Sequence, residues 1–265
     1  MLNHTYNPHL PPKSVLAVFN DIHLGIEDSP ALALCVEIAE HAGVTDILVN
    51  GDGADCGTIS PHLGKKRRAQ YQHGQLAQEI ASGRWFIDWL RTRRSWWGEG
   101  NHDDWINDLA LESGLVGTLT VQSALEIPSC VKVLPHGYQF RIGSLVIEHG
   151  DLLLGRSSGG FAPATSVLRK YPDQSTLFGH FHTISSAYRS SPDADGIFRN
   201  RCAVSLGHLS DPNKHWEYAS RAPNWQQGFG IVRVWEDNRF TIDPIQVHRD
   251  RRNRPIAEYA GKTFH

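Results

Sequence analysis

Cysteine is scarce in this chain. Cys35, Cys56, Cys130 and Cys202 are the only four among 265 residues, and no two stand at C-x-x-C spacing. That excludes a disulfide framework and a thiolate metal cluster, and it fits the reduced thiols of an intracellular protein. No apolar run approaches the roughly 20 residues that span a bilayer, so no membrane helix is expected. The N-terminal segment, with Asn3, His4, Pro8 and Pro11, lacks the basic stretch and apolar core of a secretory signal. A cytoplasmic location is the expectation. Charge of one sign is also lacking: the formal net charge is −2, which gives no global pull toward nucleic acid or membrane. There is no internal repeat, low-complexity tract or linker. The length suits one domain, residues 1–265, with ample chain for a core.

What the chain does have is a rhythm of apolar runs ending in metal-ligand residues. The run at 14–20 leads into Asp21-Ile22-His23, and the run at 46–50 into Gly51-Asp52. Ser95-Trp96-Trp97-Gly98-Glu99 leads into Gly100-Asn101-His102-Asp103. The run at 144–148 leads into His149-Gly150-Asp151, and the run at 175–178 into Gly179-His180-Phe181-His182. Short β-branched or aromatic runs of this kind read as buried strands. Ligands gathered where strands end is the site geometry of open α/β sheets. An i, i+2 pair such as Asp21 and His23 shares one face of an extended segment and can reach one cation. Any single block is weak, since Asp-x-His arises by chance and Gly-Asp is usually a turn. Five in order are not easily reached by chance. The donors are oxygen and imidazole nitrogen without thiolate, which suits manganese above all, or iron, zinc, cobalt or nickel.

The ordered set resembles the calcineurin-like metallophosphoesterase superfamily, whose pattern runs D-x-H, G-D, G-N-H-D/E, H and G-H-x-H. The resemblance spans Asp21 to His182, about two thirds of the chain. It implies two divalent cations and a four-layer α/β/β/α sandwich, with two mixed β-sheets flanked by helices. By position, Asp21, His23 and His182 resemble ligands of the first metal. Asn101, His149 and His180 resemble ligands of the second, and Asp52 resembles the bridging carboxylate. His102 resembles the catalytic histidine, which contacts phosphate and leaving group rather than metal. Gly51-Asp52-Gly53-Ala54-Asp55-Cys56-Gly57 is similar to the G-D-x-x-D-R-G stretch of the family's phosphoprotein phosphatases. That similarity implies that Asp55 orients His102 and raises its pKa; the plainer alternative is an Asx-turn residue. The arginine of that pattern is Cys56 here, and Leu24 follows His23 where those phosphatases have glycine. Both departures argue against a Ser/Thr protein phosphatase. Asp103 and Asp151 read either as partners that orient ligands or as capping and turn residues.

Elsewhere the sequence predicts helices over 30–41 and 70–90, then strands over 183–189, 197–205, 230–235 and 240–246, with Glu236-Asp237-Asn238 as a hairpin turn. Lys65-Lys66-Arg67-Arg68, Tyr71, His73, Trp85, Trp89 and Arg91-Thr92-Arg93-Arg94 read as a basic, aromatic wall suited to a phosphodiester chain, or as a solvated helix face with core aromatics. The polar–aromatic stretches at 212–218 and 224–228 border either the cleft or an oligomer contact. Residues 248–254 read as a solvated tail. The expected activity is hydrolysis of phosphate esters, phosphodiesters first, with nucleic acid or nucleotides as possible substrates. Phosphomonoester hydrolysis is the alternative. A non-enzymatic interaction module on the same fold is the rival of a different class, and it would be expected to have lost ligands.

Overall fold

The computed structural model describes residues 4–63, 74–154, 162–192, 195–214, 224–236 and 239–265. Two mixed sheets stack face to face with helices outside both. The strands are β1 (His4–Tyr6), β2 (Val15–Phe19), β3 (Asp46–Asn50), β4 (Arg94–Gly98), β5 (Lys132–Leu134), β6 (Tyr138–Ile142), β7 (Leu145–Glu148), β8 (Ser175–Phe178), β9 (Ser185–Pro192), β10 (Phe198–Ser205), β11 (Gln227–Val234), β12 (Phe240–Arg249), β13 (Pro255–Tyr259) and β14 (Lys262–Phe264). The helices are α1 (Ser29–His41), α2 (Gln75–Glu79), α3 (Arg84–Leu90), α4 (Asn101–Glu112), α5 (Val121–Ala124) and α6 (Pro163–Lys170). One sheet has the order β1-β6-β7-β8-β10-β9, the other β14-β13-β12-β11-β2-β3-β4-β5.

Alternation along the strands builds the layers. In β2, Leu16 and Val18 face the other sheet and meet Leu177 and Val204, together with Leu48, Trp96, Phe140 and Ile147. Ala17 and Phe19 face outward into a second cluster with Leu32, Cys35 and Ile38 of α1, Phe86 and Leu90 of α3, and Ile106 and Leu109 of α4. On the far face, Ala164, Val167 and Leu168 of α6 cover Phe178 and Ala203. Helices thus line both outer faces, giving the four layers that the resemblance implies. Helix α1 starts where expected because the Asp28 side chain accepts from Ala31 N at 3.2 Å and Pro30 occupies the first turn.

Parallel pairing aligns the strand ends that matter. Phe19 of β2 pairs with Val49 of β3, and Val49 with Trp97 of β4. Phe178 of β8 pairs with both Glu148 of β7 and Ser205 of β10. The loops that leave β2, β3, β4, β7, β8 and β10 therefore emerge at one end of the sandwich.

Two expectations are corrected. The helix expected over 70–90 is broken within its described part: α2 ends at Glu79, a 3₁₀ turn covers Ala81–Gly83, and α3 follows. Gly83 packs so tightly on Leu24 that a Cβ there would lie 2.4 Å from a methyl carbon, and the chain bends to make that contact. Residues 248–254 are not a tail. β12 runs through His248 and Arg249, and the chain turns back into β13 and β14. Arg249 pairs with the buried Asp28 carboxylate and with Gln227 Oε1 at 2.6 Å, so this end of the chain ties into the N-cap of α1. Of the two readings of the basic wall, the described Arg91–Arg94 part agrees with the solvated face and core aromatics, its arginines paired within the chain. Arg91 pairs with Asp88, Arg93 with Glu40 and Val44 O, and Arg94 with Asp46 and His9 O. Trp89 belongs to the core, packed on Phe19 and Phe86, with Nε1 donating to Glu40 at 2.7 Å. Residues 65–68, Tyr71, His73, Asp237 and Asn238 lie outside the described residues. Among the described residues no helix is long and apolar enough to cross a membrane.

Candidate metal centre

The motif loops meet and are stitched to one another through the backbone. Asp21 N donates to Gly51 O, His23 N to Asp52 O and Gly179 N to His149 O, at 3.2, 3.0 and 2.7 Å. Side chains add further links: His180 N donates to Asp21 Oδ2 and His102 N to Asp52 Oδ1, both at 2.8 Å. Two glycines permit the approach. A Cβ on Gly51, whose φ is +86°, would fall 2.2 Å from His149 Nδ1, and one on Gly179 would fall 2.4 Å from Asp21 Oδ2. Asp21, His23, Asp52, His180 and His182 all adopt left-handed backbone conformations, with φ between +48° and +66°. Each such non-glycine residue costs roughly 1–3 kcal/mol. Other loops carry such residues too, at Lys13, Glu126, Asn253 and Ala260, but here five of them meet in one place.

Three donor groups result, each with ligand atoms mutually within 4.8 Å. Asp21, His23 and His182 form the first and Asp52, His149 and His180 the second; His23, Asp55 and His102 form a third that shares His23 with the first. His23 Nε2 faces His182 Nε2 at 3.4 Å, and His182 Nε2 lies 3.3 Å from Asp21 Oδ1. In the second group His149 Nε2 stands 3.3 Å from Asp52 Oδ2 and 3.2 Å from Asn101 Oδ1, so Asn101 joins it. Donors held about 2.0–2.2 Å from a shared tetrahedral cation stand about 3.3–3.5 Å apart, close to these separations. Asp21 Oδ1 is fully buried yet makes no hydrogen bond among the described residues. A buried carboxylate oxygen without a donor is costly unless a cation supplies the charge. The residues therefore fit two divalent ions.

Electrostatics couple the groups. Burial pushes the Asp21 carboxyl up, and Asp52 adds to that, outweighing His149, His23 and His180. Burial would also raise Asp52, but His149 and His102, with the hydrogen bond from His149, hold it well below the usual carboxylate range. Burial would lower His149, but Asp52 and Asp21 overcome it and raise it to about 10. Asp52 and Asp21 each act on histidines of the first and second groups.

The ring tautomers follow from partners. His23 Nδ1 faces Asp55 Oδ1 at 3.1 Å and His149 Nδ1 faces Asn50 O at 3.3 Å. Donating there leaves each Nε2 lone pair for a cation. Asp55 thereby takes a different part from the one expected. Its carboxylate holds His23, while His102 Nδ1 donates to the Asp55 backbone carbonyl at 2.8 Å and lies 3.6 Å from the carboxylate. Nor is the His102 pKa raised: burial lowers it and outweighs the pull of Asp52 and Asp55. Asp103 caps its own helix, accepting from Gly100 N at 2.9 Å, and reaches Gly53 N at 3.3 Å, so it ties two motif loops together. Burial pushes its carboxyl up to about 6.

Three side chains escaped the sequence reading. The His102 ring stacks on Trp105, with centroids 4.0 Å apart. His208 stacks on His182 at 4.9 Å. Trp225, in the 224–228 stretch expected at the cleft or an oligomer contact, stands 4.6 Å from His182. His136 bridges Asp104 and Asp151. One of them left a signal: Ala203-Val204-Ser205-Leu206-Gly207-His208 repeats the apolar-run-then-Gly-His rhythm of the other blocks.

No protein-family model and no curated protein matches the chain. Among solved structures it is similar to Vacuolar Protein Sorting 29 from Cryptosporidium parvum, at 12% identity over 96% of this chain and 95% of that one, with a TM-score of 0.43. It is similar to a dimetal phosphatase from Danio rerio, at 12% identity over 88% and 96%, TM-score 0.39. It is also similar to the E. coli phosphoesterase YfcE, at 12% identity over 86% and 98%, TM-score 0.35. Likenesses this distant decide nothing about the chemistry of this chain.

Proposed function

We propose that this chain is a binuclear metal-dependent phosphoesterase of the calcineurin-like superfamily that cleaves phosphodiesters by attack of water. The observation that carries the reading is the convergence of two donor groups beside His102, a histidine oriented by a backbone carbonyl. Asp21, His23 and His182 would hold one divalent ion, and Asn101, His149 and His180 the other, with Asp52 shared. When bound, such a pair polarises phosphoryl oxygens and acidifies water. Manganese is the first choice for nitrogen and oxygen donors of this kind.

The chain's own residues then have distinct tasks. Among the donors only Asp21 and Asp52 are carboxylates, so two divalent ions leave the site net positive and attractive to an anionic ester. Asp55 keeps His23 in the tautomer that offers Nε2. His102, with Nδ1 donated to Asp55 O, presents Nε2 toward the ester. Protonated there, it would hydrogen-bond a phosphoryl oxygen and pass its proton to the departing alkoxide. An alkoxide leaving group gains from that proton whether it departs from a diester or a monoester; the diester stands as the first substrate to test. Burial lowers the His102 pKa, which makes its imidazolium a stronger acid while leaving less of it protonated.

The test is metal-free protein reconstituted with Mn²⁺ and assayed on a bis-aryl phosphodiester, an aryl phosphomonoester, cyclic nucleotides, and single- and double-stranded DNA. The reading expects hydrolysis with the diester ahead. A monoester preference would make the chain a phosphatase. No turnover of any substrate with two ions bound would leave the interaction module.

A further inference from the structure

His136 lies in the short crossover, residues 135–137, that leads from β5 of the eight-stranded sheet to β6 of the six-stranded sheet. Its ring is held at both nitrogens: Nδ1 is 3.1 Å from Asp104 Oδ2, and Nε2 is 2.8 Å from Asp151 Oδ2. Asp104 stands in the first turn of α4, three residues past Asn101. Asp151 stands two residues past His149. The ring thus spans the two segments, one from each sheet, whose donors Asn101 Oδ1 and His149 Nε2 face each other at 3.2 Å. The His136 backbone and the Asp104 end are anchored further. His136 N and Asn107 Nδ2 donate to Glu99 Oε2 at 3.1 and 2.9 Å, and Asn107 Nδ2 also reaches Asp104 Oδ1 at 3.0 Å.

We propose that His136 is a positioning residue, a strut between the sheets that sets the spacing of Asn101 and His149 and with it the affinity of the second ion. The inference rests on the binuclear reading above. A carboxylate at each ring nitrogen requires an N–H at each, so the strut is an imidazolium, a rigid planar cation with a donor at both ends. Removing it leaves Asp104 and Asp151 facing one another as like charges. Their repulsion would part the segments that carry Asn101 and His149. The described contacts of His136 are with Asp104, Asp151 and Glu99 and not with Asp21, His23 or His182, so the first ion should be spared.

Mn²⁺ titrated into metal-free protein, followed by calorimetry and by electron paramagnetic resonance, tests this. Wild type should take two ions and show a spin-coupled pair. His136→Ala should bind the first ion within about twofold and the second about 10–100-fold more weakly, the scale seen for groups that orient ligands. The uncoupled manganese signal should then persist at two equivalents. His136→Gln, a donor at one end only, should stay weak, whereas His136→Arg, a donor at both ends, should recover part of the loss. Should His136→Ala fail to fold, Asp151→Asn makes a milder cut with the same direction expected. Wild-type affinity for the second ion in these variants, or equal weakening of both ions, overturns the strut. Uptake of fewer than two ions by wild type itself overturns the binuclear reading, and the strut with it.

Discussion

The two donor groups are built differently. Asp21, His23 and His182 are all buried, all three adopt left-handed backbone, and Asp55 fixes the ring of His23. The order of this group is local, made by tight loops within a few residues of β2 and β8. Asn101 and His180 are only partly buried, and Asn101 has ordinary helical backbone in the first turn of α4. Here the order comes from a distance, through Asp104, His136 and Asp151, which tie one sheet to the other. Left-handed backbone is common to both groups, since Asp52 and His180 share it; what sets the second apart is the long-range brace. The two should then fail to different mutations.

The largest effect should separate catalysis from both groups. His102→Ala should retain two ions by elemental analysis and lose about 10²–10⁴-fold in diester turnover. Loss of metal with unchanged specific activity would reverse its role. Next, Asp55→Ala should weaken the first ion by about 10–100-fold and spare the second, the mirror image of His136→Ala. Calorimetry on both variants would erase the comparison if each weakened the same ion. Gly179→Ala forces a Cβ onto Asn20 and Asp21 and should cost about 1–3 kcal/mol in denaturant unfolding, with the first ion weakened more than the second.

The smallest effect concerns pH. Hydrogen bonds to Asp104 and Asp151, set against burial, raise His136 to about 10. A histidine raised in the folded state contributes stability that is fully present below its unfolded pKa of about 6.5 and lost as pH rises through the folded value. Melting of metal-free wild type and His136→Ala should therefore differ most near pH 6 and converge as pH approaches 10. A gap that widens with pH would contradict the imidazolium.

The ends of β2, β3, β4, β7 and β8 were legible because an apolar run followed by Gly, Asp or His needs only local chemistry to be read. Distance hid the rest. Asp55 was singled out for His102, but nothing in a linear motif says that its carboxylate meets His23 while its carbonyl meets His102. His136 carries no motif, and its meaning lies in residues 32 earlier and 15 later that only the sheet crossover brings near. Arg249 looked like part of a solvated run because its partner, Asp28, lies 221 positions away. The left-handed backbone at Asp21, His23 and His182 has no sequence signature, since neither Asp nor His there announces it as glycine would.

The most direct measurement is anomalous diffraction from crystals of the Mn²⁺-loaded protein. The account predicts two manganese peaks. One should touch Asp21, His23 and His182, the other Asn101, His149 and His180, with the Asp52 carboxylate between them. A single peak at full loading, or Asp52 turned away from both, would contradict it.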